Sequence, residues 1–241
     1  MKIKTQKLNA LCVATTIALG GAAVPTIAAA GASASVGVAN MYLWRGQNLT
    51  PSGGQVHGGI EFSGDTGLYG GMWTTTEDEG HETDLYVGFG GEVSGFSYDI
   101  SYWWYLYPEE RGVDLDDSGE IDTEAEAGTQ NDLGDTDASE LVVSLGYGGF
   151  SFGAYVQMDS DKDDDNYFTL GYEYDKYGFT YGTWDLEDSD AGDEYSHITF
   201  TYAATDEVTI AVSKAMSDVD DDLGVEEDPL FYVGYDLSFD L

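Results

Sequence analysis

From residue 36 to the end of the chain, apolar and polar residues alternate in runs of roughly nine to eleven, the period of an extended strand and not of a helix. The closing stretch 230–241 shows it best. Phe231, Val233, Tyr235, Leu237, Phe239 and Leu241 fall on one side, with Tyr232, Gly234, Asp236, Ser238 and Asp240 on the other. In 96–106, Phe96, Tyr98, Ile100, Tyr102, Trp104 and Leu106 alternate in the same way with Ser97, Asp99, Ser101, Trp103 and Tyr105. The pattern returns over 36–44, 56–62, 68–75, 85–89, 141–147, 150–158, 168–174, 179–181, 198–202 and 208–212, which predicts twelve strands in all.

The connections sort by length. Five are tight, such as Gly64-Asp65-Thr66-Gly67 and Gly148-Gly149, and they alternate with six longer, mostly acidic ones, of which 108–137 is the longest. Twelve up-and-down strands with both termini at the short-turn end produce this order, whereas a Greek-key sandwich would not sort its loops by length and charge. The expected fold is therefore all-β: a transmembrane up-and-down antiparallel β-barrel. Closure is a physical requirement, because an open sheet edge in lipid leaves N–H and C=O groups unpaired, and so the last strand must pair with the first.

Composition adds a compartment. Lys2, Lys4 and Lys7 precede the apolar run 8–20, and Ala28-Ala29-Ala30 offers a small-residue cleavage site. Residues 1–30 are thus expected to be a secretory signal peptide, cleaved between about residues 30 and 34, with the barrel at 31–241. Removing the signal leaves five basic residues against 46 acidic ones, a net charge of −41, which excludes nucleic acid as a partner. The only cysteine, Cys12, lies in the signal, so no disulfide or thiolate metal site is expected. A negative mouth concentrates cations within about a Debye length, roughly 8 Å at physiological salt, so cation preference is expected.

The first hairpin carries a family resemblance. Tyr42-Leu43-Trp44-Arg45-Gly46, then Gln55 with Gly58-Gly59, then Gly67-Leu68-Tyr69-Gly70-Gly71-Met72-Trp73, resemble the opening of the TorF-type porins, a proteobacterial group of small outer-membrane proteins. The resemblance implies outer-membrane location without naming a solute. The expected function is passive diffusion of small hydrophilic solutes. The alternatives are a substrate-specific channel of the nucleoside-channel kind and a non-conducting structural or adhesive barrel.

If Val36, Val38, Tyr42 and Trp44 face lipid, Arg45 points into the lumen, either shaping a constriction or pairing with a lumenal carboxylate. That phase puts Asn40 on the lipid side, which suggests a nearby bulge. The same alternation makes His57, Glu61, Asp99, Trp103, Tyr105, Tyr155, Tyr167 and His197 candidate pore-lining residues with Arg45. In the longest loop Asp114, Asp116, Ser118, Glu120 and Asp122, with Gly119, match a calcium-loop spacing, although position twelve is Ala125, so calcium is an optional cofactor and none is required. Catalysis is not expected: Ser196 and His197 are strand neighbours and face opposite ways. Tyr235, Leu237 and Phe239 resemble the terminal signal read by the barrel-assembly machinery, which with periplasmic chaperones and membrane lipid makes up the expected partners.

Overall fold

The computed structural model describes residues 30–78, 80–107, 138–158, 166–185, 195–216 and 228–241. The expected signal peptide up to residue 29, and the calcium-type loop at Asp114, Asp116, Ser118, Glu120 and Asp122, lie outside the described residues.

In chain order the strands are β1 (Gly31–Ala39), β2 (Leu43–Trp44), β3 (Gln47–Asn48), β4 (Gln55–Ser63), β5 (Leu68–Glu77), β6 (Gly80–Val93) and β7 (Phe96–Leu106). They continue as β8 (Ala138–Tyr147), β9 (Phe150–Gln157), β10 (Asn166–Tyr174), β11 (Tyr177–Asp185), β12 (Ser196–Ala203), β13 (Val208–Ala215) and β14 (Leu230–Asp240). Twelve of these close an antiparallel barrel in which each strand pairs with its neighbours in sequence. β1 completes the ring by pairing with β14 on one side and β4 on the other. β2 and β3 stand apart as a two-residue-per-strand hairpin.

The alternation sets the two faces. Val36, Phe62, Val87, Ile100, Leu170, Phe200, Phe231 and Val233 are exposed on the outside, Phe231 by 64%. Much of what is buried is polar: Gln55, His57, Thr75, Asp84, Asp99, Ser144, Thr199 and Ser213. A water-soluble domain does the reverse. Each outward Val, Leu, Ile or Phe left in water would forgo about 1.5–3 kcal/mol of burial, so the band is accounted for by lipid around a transmembrane barrel.

The closing seam is in register along its length. Val36 lies opposite Leu237 on β14 and Gly58 on β4, and the Leu241 N–H donates to the Ala32 carbonyl at 2.9 Å. Every barrel strand therefore has two partners and no edge is left to lipid.

Two of the boundaries that differ from the sequence expectation bear on the lumen. β1 begins at Gly31 and stops at Ala39, where 36–44 was expected. Asn40 ends it by using its side chain as a substitute peptide: Nδ2 donates to the Phe231 carbonyl at 2.7 Å, and Oδ1 accepts the Val233 N–H at 2.7 Å. The chain thus leaves the wall at a strand end, not at a bulge. β6 starts earlier than expected, at Gly80, because its outward positions there are His81 and Thr83, which carry no apolar signal.

Candidate functional site

Beyond Asn40 the chain turns into the barrel. Tyr42 and Leu43 are 2% and 1% exposed, so the expectation that Tyr42 and Trp44 face lipid is corrected: Tyr42 is buried and Trp44 half-buried within the hairpin that enters the lumen. β2 and β3 pair Leu43 with Asn48 and Trp44 with Gln47, leaving Arg45 and Gly46 as a two-residue turn. Their φ values of 47° and 88° are both positive, as a type I′ turn requires. Gly46 meets this at no steric cost; Arg45 does so at a cost of roughly 1 kcal/mol or more. A side chain at Gly46 would also collide with the His197 ring on β12. The hairpin base is tied by the Tyr42 N–H donating to Thr50 Oγ1 at 2.7 Å and the Leu49 N–H donating to the Tyr42 carbonyl at 2.8 Å.

The hairpin crosses the lumen. Leu43 packs with Ala211 on β13 and with Leu230 and Tyr232 on β14. Tyr42 meets the Trp73 ring of β5 edge-on at 5.8 Å and donates from its hydroxyl to Glu82 of β6 at 3.2 Å. At the tip, Arg45 Nη1 and Nη2 donate to the two carboxylate oxygens of Glu140 on β8 at 2.8 and 2.6 Å. Four rings surround its guanidinium carbon: Trp44 at 4.4 Å, Tyr167 of β10 at 4.6 Å, Tyr155 of β9 at 4.7 Å and Trp184 of β11 at 4.9 Å.

A buried ion pair survives only when its geometry and its remaining hydrogen bonds are good. Here the pair is bidentate, Tyr105 donates to Glu140 Oε2 at 2.8 Å, and the Tyr195 hydroxyl donates to the Arg45 carbonyl at 3.0 Å. Burial opposes the charge on Arg45, yet the Glu140 carboxylate outweighs it and holds the guanidinium pKa above its ordinary value.

All nine candidate pore-lining residues point inward, but they do not form one cluster. Tyr105, Tyr155 and Tyr167 gather around Arg45 and Glu140. His197 is 0% exposed and shares a 2.6 Å hydrogen bond with the Tyr167 hydroxyl. Lower on the β4–β7 wall, Tyr69 donates to Asp99 at 2.8 Å, Tyr86 donates to Glu61 at 3.2 Å, and Trp103 stacks on Tyr86 with centroids 4.3 Å apart. His57 lies apart, with Nε2 2.6 Å from Asp236 Oδ1 on β14. These two residues flank Gly37 of β1 on either side, and a Cβ at Gly37 would run into both. Tyr235, Leu237 and Phe239 lie on the outward side of β14, opposite Val38, Val36 and Ala34.

The family description "Bacterial protein of unknown function (Gcw_chp)" matches residues 25–183, well over half of the chain. The chain belongs to this family. No curated protein sequence matches this Gcw_chp member. Among solved structures it is similar to a chain described under "Unveiling the Mechanism Behind the in-meso Crystallization of Membrane Proteins", at 11% identity and TM-score 0.52, covering 87% of this chain and 84% of that one. It is also similar to the KdgM porin, at 10% identity and TM-score 0.49, covering 86% and 99%. The NanC porin follows at 10% identity and TM-score 0.42, covering 87% and 100%. At these identities the likeness concerns the fold alone.

Of the partners of Arg45, Tyr155 and Tyr167 were among the lumenal candidates, while Glu140, Trp44 and Trp184 are what sequence reading of this Gcw_chp chain missed. Glu140 was visible as a lone carboxylate on the inward face of its strand, and that was the available signal. Trp44 and Trp184 carried none, since one was assigned to lipid and the other sits at a strand end. Among the described residues Arg45 is the one Lys or Arg facing the lumen: Lys176 lies in a turn and Lys214 on the outer face.

Proposed function

We propose that this protein is an outer-membrane, porin-like channel of the TorF type for small hydrophilic solutes, with its lumen narrowed by the inward hairpin. The observation that carries this reading is a polar lumen held inside an apolar outer band and entered by the Arg45 hairpin. The long loops face the cell exterior and both termini face the periplasm, which sets the hairpin at the outer mouth. Assembly through the terminal strand, with Phe239 read by the barrel-assembly machinery, belongs to the same proposal. Among the described residues the lumenal carboxylates Glu61, Glu82, Asp84, Asp99, Glu140 and Asp236 outnumber the single lumenal arginine, which supports cation preference. Calcium binding at loop 114–126 is a separate proposal, and calorimetric heat specific to calcium over magnesium tests it.

The experiment is single-channel recording in planar bilayers. Wild type is expected to pass a small cation-preferring current whose preference fades as salt rises. A variant with residues 41–51 replaced by a short Gly-Ser bridge is expected to conduct several-fold more. Reversal potentials favouring chloride would contradict the cation preference. A second reading, the non-conducting structural barrel, is favoured by the contact of the hairpin with both sides of the lumen. Absence of current from both proteins would select it.

A further inference from the structure

We propose that Glu140, Tyr155, Tyr167 and Trp184 form a lumenal receptor for small guanidinium solutes, and that Arg45 is its tethered occupant. The inference rests on reading the barrel interior as a solute path. The four residues sit on successive wall strands, β8 to β11, while Arg45 arrives on a hairpin that is not part of the wall. Removal of the Arg45 side chain would leave a carboxylate and three ring faces converging on one point.

The chemistry of that point is selective. Glu140 engages two parallel N–H groups at 2.8 and 2.6 Å, which fits a planar fork. The rings of Tyr167, Tyr155 and Trp184 lie 4.6, 4.7 and 4.9 Å from the guanidinium carbon, which suits a delocalised, weakly hydrated cation. A tetrahedral ammonium satisfies the charge but neither the fork nor the stacking. Tyr105 is a positioning residue: its hydroxyl donates to Glu140 Oε2 from β7 at 2.8 Å, so the carboxylate is oriented from the wall and not only by the hairpin.

Arg45 is held in place by the rest of its hairpin. Its own φ of 47° is unfavourable for an arginine, whereas Leu43 and Tyr42 anchor the loop through apolar packing and a hydrogen bond. A tethered group of this kind competes with free solute at an effective concentration on the order of millimolar or above. Solutes of the same chemistry, drawn in by the acidic surround, therefore enter when they exceed that level or when Arg45 is absent.

The test uses the folded full-length mature chain in detergent, with methylguanidinium as probe and methylammonium as control at matched ionic strength, read by tryptophan fluorescence and calorimetry. Arg45→Ala is expected to bind methylguanidinium about tenfold or more tightly than methylammonium, the worth of one lost charge-assisted hydrogen bond. Wild type should show the same preference at roughly tenfold or more higher concentration, because Arg45 competes. Glu140→Gln added to Arg45→Ala should abolish the preference. Where Arg45→Ala fails to fold in plain buffer, recovery of the heat-modifiable folded form by refolding with methylguanidinium, and not with methylammonium, supports the receptor equally. Equal binding or equal rescue by the two cations overturns it, as does no binding and no rescue by either. A wild type showing no preference up to about 100 mM overturns it too. The readout is binding, so binding without current sinks the channel reading alone, and current without binding sinks the receptor alone.

Discussion

Two buried pairs inside this barrel look alike in outline and differ in how they are held. At the hairpin, Arg45 and Glu140 meet at 2.6 Å; at the seam, His57 and Asp236 also meet at 2.6 Å. The first joins a loop to the wall and is satisfied on every side, by a second N–H bond, by Tyr105 and by four rings. The second joins two wall strands across a third, in the space that Gly37 leaves open, and His57 Nδ1 and Asp236 Oδ2 have no hydrogen-bond partner among the described residues. A fully connected pair fixes where a loop sits, while a bare pair marks how closely three strands approach as the ring closes. The first pair thus fixes a loop inside the lumen and the second marks where the sheet shuts.

The largest effect is expected from breaking the first pair on one side. Glu140→Ala leaves Arg45 charged, buried and without its carboxylate, and should cost about 3–5 kcal/mol in reversible urea unfolding from lipid vesicles. Removing both partners, as Arg45→Ala with Glu140→Ala, should cost less than the sum of the two single changes, because no orphaned charge remains. Additive losses would mean that the pair is not coupled and that the hairpin is held by Leu43 and Tyr42 alone.

Overfilling the second region comes next. Gly37→Ala pushes a methyl group into His57 and Asp236, and should cost about 1–3 kcal/mol with slower barrel closure in a heat-modifiability assay. Adding His57→Ala to Gly37→Ala should return part of that loss. If Gly37→Ala is silent, the seam is not packed around that position and the contrast drawn above fails.

Asn40 belongs to both regions, since it ends β1 at the seam and releases the chain into the hairpin. Asn40→Ala removes one donor and one acceptor bond to β14, and should cost about 1–3 kcal/mol at 0.5–1.5 for each bond. A matching rise in lumenal conductance would show that this side chain also sets the hairpin entry.

The barrel itself was legible because period-two alternation and the sorting of loops by length survive without any knowledge of contacts. Phe231 to Leu241 declared their outward face at once, and the structure pairs that strand with β1. The hairpin was not legible, because Tyr42, Leu43, Trp44 and Arg45 continue an alternating pattern that sequence reading extends along the wall. Asn40, an amide on an otherwise apolar face, was the warning. It reads as a defect in a strand and is in fact the cap that ends one. Arg45 was assigned to the lumen from a phase that is wrong for Tyr42 and Trp44, so the right face was reached for the wrong reason. The pairing of Arg45 with Glu140 spans 95 residues and the pairing of His57 with Asp236 spans 179, and separations of that size follow only from the register of the closed ring.

The smallest effect concerns the lid of the first pair. Tyr195 is buried just before β12, accepts from Gln47 Nε2 at 2.6 Å and donates to the Arg45 carbonyl at 3.0 Å. Burial pushes its pKa up to about 12, against lowering by its contacts with Trp184, Gln47 and Arg45. The folded state therefore keeps this proton where the unfolded chain, near pH 10, begins to release it. The resulting stabilisation is complete below pH 10 and is lost as pH rises from 10 through 12. Tyr195→Phe should cost about 0.5–1.5 kcal/mol at neutral pH and should flatten the fall in stability between pH 10 and 12 relative to wild type. An unchanged alkaline slope in the variant would mean that Tyr195 does not carry that proton. The hairpin tip would then be held by Glu140 and the four rings without help from its backbone carbonyl.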